Sequence, residues 1–217
     1  MSVPKLLVVG GNGYLGSAIC KAAVTKGWEV SSMSSSGKPY TTPASHTPSW
    51  VPSVKWHKAS AFEPATYRSL VGESTAVVHT LGILLESQNY KKAIQQGDVL
   101  GLARAFLGGD SGNPLKSEAD RRRGYEGMNK DSALQVLDTM LETGSEDVRT
   151  GMRRPFVYIS AADAFRPFVP GGYIETKRQA ELEIQRRCDA GGDGSDIRPV
   201  YVRPGKIASP LFWVASC

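Results

Sequence analysis

Three glycines at intervals of three residues, placed between a short apolar segment and a helical pattern, constrain this chain more than any other feature. Lys5–Val9 is apolar and short enough to be a buried strand. From Leu15 to Lys26, apolar residues recur at helical spacing. The motif GGNGYLG (Gly10–Gly16) lies between the two segments. The sequence therefore predicts a strand, a tight glycine turn and a helix in direct succession.

Each glycine of this turn has its own physical role. Gly10 permits the tight turn, Gly13 lets a ligand approach the backbone closely, and Gly16 lets the helix pack against the strand. The N–H groups at a helix start attract negative charge, so the expected ligand is the pyrophosphate of a dinucleotide. A turn that is merely tight is the alternative. The cofactor-binding residues predicted in this turn are Gly10, Gly11, Asn12, Gly13, Tyr14, Leu15 and Gly16.

Strands and helices alternate along the rest of the chain. Further strands are predicted at Trp28–Met33, Val54–His57, Thr75–Thr80, Pro155–Ser160 and Pro199–Pro204. Further helices are predicted at Pro64–Val71, Asn129–Leu141 and Ile174–Ala190. Apolar strands alternating with helices form a parallel sheet covered on both faces, so the fold class is α/β with a doubly wound parallel sheet. We expect one domain over residues 1–217, with an irregular insertion at 84–124.

The composition narrows the classes of function. The chain has 217 residues, 41% of them hydrophobic, and three cysteines that lie far apart. These features favour a packed domain in a reducing compartment, without a disulfide framework. Neither the cysteines nor the three histidines have metal-ligand spacing, so no metal site is predicted. No apolar run reaches the roughly 18 residues that span a bilayer, and the first strand begins by Lys5, which leaves no room for a cleavable presequence.

The chain is basic, with a formal net charge of +5 and an isoelectric point of about 9.1. We expect this positive charge to be spread rather than gathered, which favours phosphates or anionic lipid as partners only weakly. No nucleic-acid module is recognisable, so nucleic acid is not a predicted partner.

The residues after the second strand bear on the choice between NAD and NADP. NAD sites usually carry an acidic residue there, which binds the ribose hydroxyls. The segment SMSSSGKP (Ser32–Pro39) contains no acidic residue. NADP is therefore favoured, with Ser34, Ser35 or Lys38 near its 2′-phosphate, and NAD stays open as the alternative.

A tyrosine and a lysine four residues apart begin the helix after the fifth strand. A free phenol has a pKa of about 10, and a lysine one turn away favours the phenolate and can bind the ribose of a nicotinamide nucleotide. Tyr173 is therefore the predicted proton shuttle of a hydride transfer, and Lys177 its partner. Ser160, at the end of the fifth strand, is predicted to orient a substrate carbonyl. The alternatives are a pair that lines the cofactor pocket without catalysis and a serine hydroxyl satisfied by the backbone.

The order of these motifs resembles that of the short-chain dehydrogenase/reductase superfamily, in its extended or atypical branch. The motifs are GGNGYLG (Gly10–Gly16), VVHTLGIL (Val77–Leu84), MNKDSA (Met128–Ala133), YISA (Tyr158–Ala161), the pair Tyr173 and Lys177, and VRPGKI (Val202–Ile207). The resemblance implies a Rossmann fold that binds NAD or NADP. It also implies contacts from Leu81 and Gly82 on the adenosine and ribose side and from Pro204 and Gly205 beside the nicotinamide. Asn129 matches the asparagine of the family's fourth helix.

Three segments show a narrower similarity, namely VVHTLGILLES, YEGMNKDSA and GGYIETKRQAE. They are similar to the dehydrogenase-like subunits of the fungal mitochondrial coenzyme Q synthesis complex and, less closely, to those of respiratory complex I. This likeness implies a nucleotide-binding protein on the matrix side of the mitochondrial inner membrane that serves ubiquinone synthesis. It implies protein partners in that complex and peripheral contact with the membrane. Arg121–Arg123 is the candidate contact for a partner or a lipid headgroup.

Three features depart from the family pattern. Ala161 follows Ser160, where many members carry two hydroxyl residues, and no acidic residue follows the third strand in HKASAF (His57–Phe62). The chain ends at SPLFWVASC, soon after the sixth strand, whereas extended members continue into a C-terminal substrate domain. We therefore expect that domain to be truncated. A pocket without that lid excludes little water, which weakens the expectation of catalysis.

Three functional hypotheses stay open. The first is a weakly catalytic or non-catalytic nucleotide-binding component of a quinone-synthesis assembly. The second is an NADPH-dependent reductase or dehydrogenase that acts on a carbonyl of a quinone precursor. The third is a redox sensor in which the nucleotide controls partner binding. Ser160, Tyr173 and Lys177 favour the second hypothesis, whereas Ala161 and the missing lid favour the first.

Overall fold

Six parallel strands form one sheet, in the order β3-β2-β1-β4-β5-β6, in the computed structural model, which describes residues 3–83, 124–144, 153–163, 171–190 and 196–205. The strands are β1 Lys5–Val9, β2 Glu29–Ser34, β3 Val54–Lys58, β4 Ala76–His79, β5 Arg154–Ile159 and β6 Ile197–Val202. The chain order reverses between β1 and β4, so the carboxyl ends of these two strands border a crevice. The predicted α/β class with a doubly wound parallel sheet is confirmed.

Helices connect the strands on both sides of the sheet. Within the described ranges they are α1 Tyr14–Thr25, α2 Arg68–Gly72, α3 Ser132–Thr143 and α4 Gly171–Ala190. Short 3₁₀ turns precede β3 and α2, at Val51–Ser53 and Pro64–Thr66. A π-helical turn, Gly127–Asp131, leads into α3. The sequence pattern predicted one helix from Asn129 onward, because apolar spacing does not distinguish a π-helical turn from an α-helical one.

Two hydrophobic clusters fill the space on either side of the sheet. Residues of α2, α3 and α4 cover one side, where Tyr67, Phe156 and Tyr158 are fully buried. Helix α1 covers the other side, where Cys20 and Ala23 pack among the side chains of β1 and its neighbours. We refer to this second side as the α1 face. Because successive strand residues point to opposite sides, both clusters draw on the same strands.

The connection from β2 to β3 crosses the α1 face without an α-helix. Parallel strands need a long crossover, which is usually helical. Here Trp50 packs against the cluster of the α1 face, with its ring 5.7 Å from that of Tyr40 and 6.4 Å from that of Trp56. The indole N–H of Trp56 donates to the carbonyl of Val51 at 3.1 Å. The aromatic side chains of this connection cover apolar surface that a crossover helix would otherwise cover.

Parts of the sequence prediction lie outside the described residues. These parts are the insertion at 84–124, apart from Gly124, with Arg121–Arg123 inside it, and the chain after Gly205. The organisation of residues 1–217 as one domain therefore stays a prediction. Among the helices that are described, none combines the length and the apolar character needed to cross a membrane.

Candidate functional site

The glycine turn joins β1 to α1 at the crevice beside β4. Gly10 has a φ of +89°, a left-handed conformation that favours glycine. A Cβ atom on Gly10 would lie 2.8 Å from the Oγ1 atom of Thr80, the residue after β4. A Cβ atom on Gly16 would overlap the carbonyl group of Gly10. Both positions therefore require glycine, because the end of β4 and helix α1 approach the turn at van der Waals distance.

Helix α1 presents its amino end at this turn. Its N-cap is Gly13, which makes no side-chain capping bond, and its first turn contains no acidic residue. The amide of Ser17 donates to the carbonyl of Gly13 at 2.8 Å, and the N–H groups before it have no acceptor within the helix. Tyr14 and Gly13 are exposed, whereas Leu15 is half-buried. A helix start without a carboxylate or a side-chain cap suits a phosphate group.

A cluster of hydroxyl groups follows β2, next to the glycine turn. The side-chain amide of Asn12 donates to the hydroxyl of Ser36 at 3.2 Å. The hydroxyls of Ser34 and Ser36 lie 3.4 Å apart, and the amide of Gly37 donates to Ser34 at 3.1 Å. Ser35 is exposed. Asn12 and the serines of 34–36 are therefore brought together, as a cofactor site that spans both turns requires.

Two lysines lie beside this hydroxyl cluster. Lys38 follows it in the sequence and is exposed. Lys58 ends β3, and Gly37 packs so closely on it that a Cβ atom on Gly37 would lie 2.7 Å from the Cβ of Lys58. Lys58 is also exposed and was not among the predicted site residues. Its position follows from the parallel pairing of β2 with β3, which places Ser34 opposite Lys58.

Lys177 is buried in the crevice with only 2% of its surface exposed. Its amino group donates to the carbonyl of Ile159 at 2.9 Å and to that of Leu81 at 3.5 Å. It also lies 4.7 Å from the ring centroid of Tyr158, a cation–π distance. Burial lowers the pKa of Lys177 to about 7, and Glu181 opposes that effect. Lys177 thus connects the ends of β4 and β5 beneath the crevice.

Asn129 fixes the segment that follows β4. Its side-chain oxygen accepts from the amide of Ile83 at 2.9 Å, and its side-chain nitrogen donates to the carbonyl of Ile83 at 3.2 Å. The hydroxyl of Tyr158 donates to the backbone carbonyl of Asn129. A Cβ atom on Gly82 would lie 2.9 Å from the Asn129 side chain and 3.0 Å from the amino group of Lys177. The predicted residues Gly82 and Lys177 are therefore adjacent.

Tyr173 lies in the first turn of α4 and is half-buried. Its ring makes an edge-to-face contact with Tyr125, at 6.5 Å between ring centroids. Burial raises the pKa of Tyr173. The sequence predicted the opposite direction, with Lys177 favouring the phenolate. Burial therefore acts on the phenol against the expected effect of Lys177, whose amino group donates to the Ile159 carbonyl, and the catalytic role of the pair stays a prediction.

Ser160 is buried, and charged side chains of α4 surround its hydroxyl. Arg178 donates to the Ser160 hydroxyl at 3.3 Å and to the carbonyl of Ala161 at 2.7 Å. Arg178 also contacts Glu181 at 2.5 Å, and Arg203 contacts the same carboxylate at 2.5 Å. Burial acts to raise the pKa of Glu181, but hydrogen bonds from Arg203 and Ser160 and the nearby arginine charges hold it below its usual value. Arg178, Glu181 and Arg203 form what we call the arginine–glutamate cluster.

The remaining predicted contacts lie along the carboxyl edge of the sheet. The amide of Ala162 donates to the carbonyl of Pro204 at 3.0 Å, which joins the ends of β5 and β6. Pro204 is half-buried and Gly205 exposed. Leu81 packs against the core. Within the described ranges, histidine, cysteine, aspartate and glutamate side chains form no group of three or more suited to a metal ion.

The sequence of this chain matches the model of the NAD dependent epimerase/dehydratase family over residues 6–104. It is 39% identical over 208 residues to MIOREX complex component 2 of Saccharomyces cerevisiae, an alignment that covers 94% of this chain and 72% of the yeast protein. The chain belongs to the NAD dependent epimerase/dehydratase family. A chloroplastic protein of Arabidopsis thaliana is 38% identical over 95 residues, which cover 44% of this chain and 30% of that protein.

Solved structures of short-chain dehydrogenases share the fold of this epimerase/dehydratase-family chain. A short chain dehydrogenase of Leptospira borgpetersenii with bound NAD⁺ superposes with a TM-score of 0.65 at 11% identity, covering 96% of this chain and 73% of its own. A short chain dehydrogenase/reductase-family oxidoreductase of Burkholderia thailandensis gives 0.64 at 13% identity, covering 99% and 74%. The predicted superfamily resemblance is confirmed, and membership implies binding of NAD or NADP.

The site geometry fits such a nucleotide. The turn at Gly10 and Gly16 leaves no room for side chains, and the start of α1 carries neither an acidic residue nor a side-chain cap. Lys177 and Asn129 hold the segment after β4 beside that turn. When bound, the nicotinamide supplies a hydride acceptor or donor. The chain's own residues contribute the cradle and a buried amino group.

Three residues of the site escaped sequence reasoning. Tyr158 is part of a strand pattern, and its contact with Lys177 depends on how β5 and α4 pack. Lys58 is distant in sequence from Ser34 and is paired with it only by the sheet. Arg178 follows Lys177 directly, and nothing in the local pattern showed that it would bind Ser160. A search for charged residues at the carboxyl ends of neighbouring strands would have found Lys58.

Proposed function

We propose that this epimerase/dehydratase-family chain holds NADP or NAD as a weakly catalytic or non-catalytic component of a mitochondrial assembly that serves ubiquinone synthesis. The observation that carries the proposal is the position of the predicted catalytic groups. The hydroxyl of Ser160 is bound by Arg178, and the amino group of Lys177 is bound by the Ile159 carbonyl. The glycine turn leaves room for a nucleotide, whereas the serine and the lysine expected to assist Tyr173 have other partners.

The weak catalysis follows from two features of the site. A proton shuttle at neutral pH needs a pKa near the working pH, and burial moves the pKa of Tyr173 further above it. A residue that orients a carbonyl needs a hydroxyl that can turn toward the substrate. Ser160 is 1% exposed, and its hydroxyl is a partner of the arginine–glutamate cluster.

NADP is favoured over NAD by the surroundings of the serine cluster after β2. Lys38 and Lys58 lie beside it, and no acidic residue occurs from Val30 to Phe62. A 2′-phosphate attracts such a combination of amino and hydroxyl groups, whereas a carboxylate that binds two ribose hydroxyls is missing from the segment.

Membership of an assembly is supported by the name of the yeast relative, a complex component with which this chain aligns over 94% of its length. The similarity of its motifs to coenzyme Q synthesis subunits supports ubiquinone synthesis as the process and the matrix side of the inner membrane as the location. Protein partners of that complex and peripheral membrane contact are part of the same proposal.

A second candidate function is an NADPH-dependent reductase acting on a carbonyl of a quinone precursor. Tyr173 and Lys177 lie on the same side of α4, and Tyr173 remains partly exposed in the crevice. A nucleotide-dependent redox sensor would use the same cradle without turnover. This redox sensor differs from the non-catalytic component of the first proposal only if the chain binds its partner with different affinities when it holds NADPH and when it holds NADP⁺.

Calorimetric titration of the purified chain with NADPH and NADH tests the cradle. We expect both nucleotides to bind, and Lys177→Ala to weaken both by about tenfold, because a hydrogen bond to a charged group is lost. Lys58→Gln should weaken NADPH by a similar factor and leave NADH unchanged. Lys55→Gln, on the same strand, is the matched control and should alter neither affinity. Absence of binding by either nucleotide would refute the proposal.

NADPH oxidation with a short-chain benzoquinone separates the two candidate functions. The first candidate predicts turnover no faster than the background reaction, and Tyr173→Phe without effect on nucleotide affinity. Turnover well above background that disappears in Tyr173→Phe would establish the reductase instead. Fractionation of mitochondria that carry the tagged chain tests the location, and recovery outside mitochondria would contradict it.

A further inference from the structure

The net positive charge of this chain comes from its first 62 residues. Residues 1–62 contain six lysines and one acidic residue, Glu29, which gives them a net charge of +5, the same as the whole chain. Residues 63–217 contain 20 basic and 20 acidic residues. The expectation that the charge is spread was therefore wrong. The two parts also differ in the type of their basic residues, because all 14 arginines follow residue 62.

Four of these lysines lie on the α1 face. Lys21 lies on α1 and Lys26 caps it, Lys38 lies in the loop that crosses the face, and Lys58 ends β3. All four are exposed, and none forms an ion pair with another described residue. Exposed charges without opposite partners leave a positive potential over this side of the molecule.

The single acidic residue of this part lies on the other side of the sheet. Val30 and Val54 are buried in the cluster of the α1 face. Because strand residues alternate between the two sides, their neighbours Glu29 and Lys55 lie opposite. Glu29 and Lys55 pair with each other at 3.6 Å. The α1 face, as far as residues 3–62 form it, is thus free of carboxylates.

The uncharged residues of this face have an interfacial character. Trp28, just after α1, is 37% exposed, and Tyr14 at the start of α1 is 52% exposed. The remaining exposed residues of α1 are Ala18, Ala22 and Thr25, and the loop contributes serines, threonines and prolines. Exposed aromatic rings beside lysines and small residues are typical of surfaces that meet the headgroup region of a bilayer.

We propose that the α1 face is the surface by which this chain lies on an anionic lipid bilayer. Lysine is a hydrated point charge suited to a diffuse anionic surface, whereas nucleic-acid recognition favours the planar guanidinium of arginine, which forms bidentate contacts. The absence of arginine from residues 1–62 therefore favours lipid over nucleic acid. The α1 face would make the peripheral membrane contact of the proposed function, and it rests on that function only because the function places the chain beside a membrane.

Lys21 and Lys26 separate membrane contact from nucleotide binding. They lie in the last two turns of α1 and just after it, about 10 Å or more along the helix axis from Tyr14, where the helix begins. Lys38 and Lys58, by contrast, lie next to the proposed 2′-phosphate site. A variant that lacks only Lys21 and Lys26 therefore leaves the nucleotide cradle intact, and failure of one proposal is distinguishable from failure of the other.

Vesicle sedimentation of the full chain tests the inference. The vesicles are pure phosphatidylcholine, or phosphatidylcholine with 30 mol% phosphatidylglycerol. We expect binding to the anionic vesicles alone, weakening as salt rises from about 0.05 to 0.5 M because screening shortens the range of the charges. Each lysine near the surface raises the partition coefficient onto anionic vesicles by a factor of about five. The double variant Lys21→Gln/Lys26→Gln should therefore lower that coefficient at least tenfold.

The matched control is Arg68→Gln/Arg186→Gln, which removes two charges from helices α2 and α4 on the other side of the sheet. Its vesicle binding should equal that of the unaltered chain. Equal losses in both double variants would show a net-charge effect and overturn the α1 face as the contact. Equal binding to neutral vesicles, or binding to single-stranded RNA that outcompetes the anionic vesicles, would also overturn it. Circular dichroism and NADPH titration verify that the variants remain folded.

Discussion

The amino group of Lys177 is buried, and its direct contacts are uncharged groups. The amino group contacts two carbonyls and the face of Tyr158. Its charge disfavours protonation of His79, and Glu181, one helical turn away, favours protonation of Lys177 itself. Burial and the charge of Lys177 lower the pKa of His79 to about 3, so that ring is neutral at physiological pH. The protonation of Lys177 is therefore set mainly by desolvation and responds to pH near neutrality.

The pH dependence of folding should report this environment. The pKa of Lys177 is about 7 in the folded chain, below the ordinary lysine value of 10.5, so between these pH values the unfolded chain binds more protons. Linkage then requires the free energy of unfolding to rise with pH above about 7, by at most about 1.4 kcal/mol for each pH unit. Lys177→Met should lack this contribution and should be the more stable protein at pH 6. Urea denaturation of both proteins from pH 6 to 9 measures the difference, and parallel curves would contradict it.

Gly10 and Lys177 show how far single residues were predictable. The need for glycine at position 10 is a property of the local backbone, and the motif carries it. The identity of Lys177 as a pocket residue came from its spacing to Tyr173. Its partners did not, because the Ile159 and Leu81 carbonyls belong to strand ends that are distant in sequence.

Helix α1 depends on close contact with the turn that precedes it. Gly16→Ala should cost about 2 kcal/mol in the free energy of unfolding and abolish nucleotide binding, because a methyl group would overlap the Gly10 carbonyl and displace the helix. Gly13→Ala is the matched control. A Cβ atom there lies 3.2 Å from the Gly10 carbonyl, so stability should change by less than about 1 kcal/mol while nucleotide affinity falls.

Thermal unfolding and NADPH titration of the two glycine variants measure these effects. Equal stability of Gly16→Ala and the unaltered chain would show that the turn is not as tightly packed as the structure indicates. Unchanged nucleotide affinity in both variants would remove the turn from the cofactor site.

The elements themselves were largely predictable because each follows from local periodicity. All six strands and the four helices that the structure describes appear where the sequence patterns placed them, with boundaries shifted by a few residues. The crossover from β2 to β3 shows the limit. Serines, threonines and prolines are typical of a loop, but the packing of Trp50 between Tyr40 and Trp56 depends on chain segments that meet only in the fold.

Arg154 joins three parts of the molecule at the amino ends of the strands, whereas the nucleotide site lies at their carboxyl ends. It is 2% exposed, donates to the carboxylate of Asp196 at 2.8 Å and to the carbonyl of Met140 at 2.8 Å. It thereby connects β5, the start of β6 and the end of α3. The Arg154 guanidinium is buried whereas the Asp196 side chain is 33% exposed, so loss of Arg154 leaves a cavity and deprives both the Met140 carbonyl and the Asp196 carboxylate of their partner.

Arg154→Ala should therefore lower the free energy of unfolding by about 3 kcal/mol. Arg154→Met/Asp196→Asn removes both charges and keeps most of the volume, so it should recover more than half of that loss. Urea denaturation measures both variants. NADPH affinity, measured well below the unfolding transition, should be unchanged in either, and a loss of affinity would show that the two edges of the sheet are coupled.

The sequence by itself determined the glycine turn, the alternation of strands and helices, and the confinement of net charge to residues 1–62. These are properties of the local backbone, of short-range periodicity and of composition, all of which are written along the chain. Only the tertiary structure decided which groups meet at the crevice: Lys58 beside Ser34, Arg178 on Ser160, and Lys177 under the Ile159 carbonyl. Those contacts join segments far apart in the chain or depend on the packing of α4 against the strand ends, and their geometry is fixed by sheet order and helix packing rather than by any local pattern.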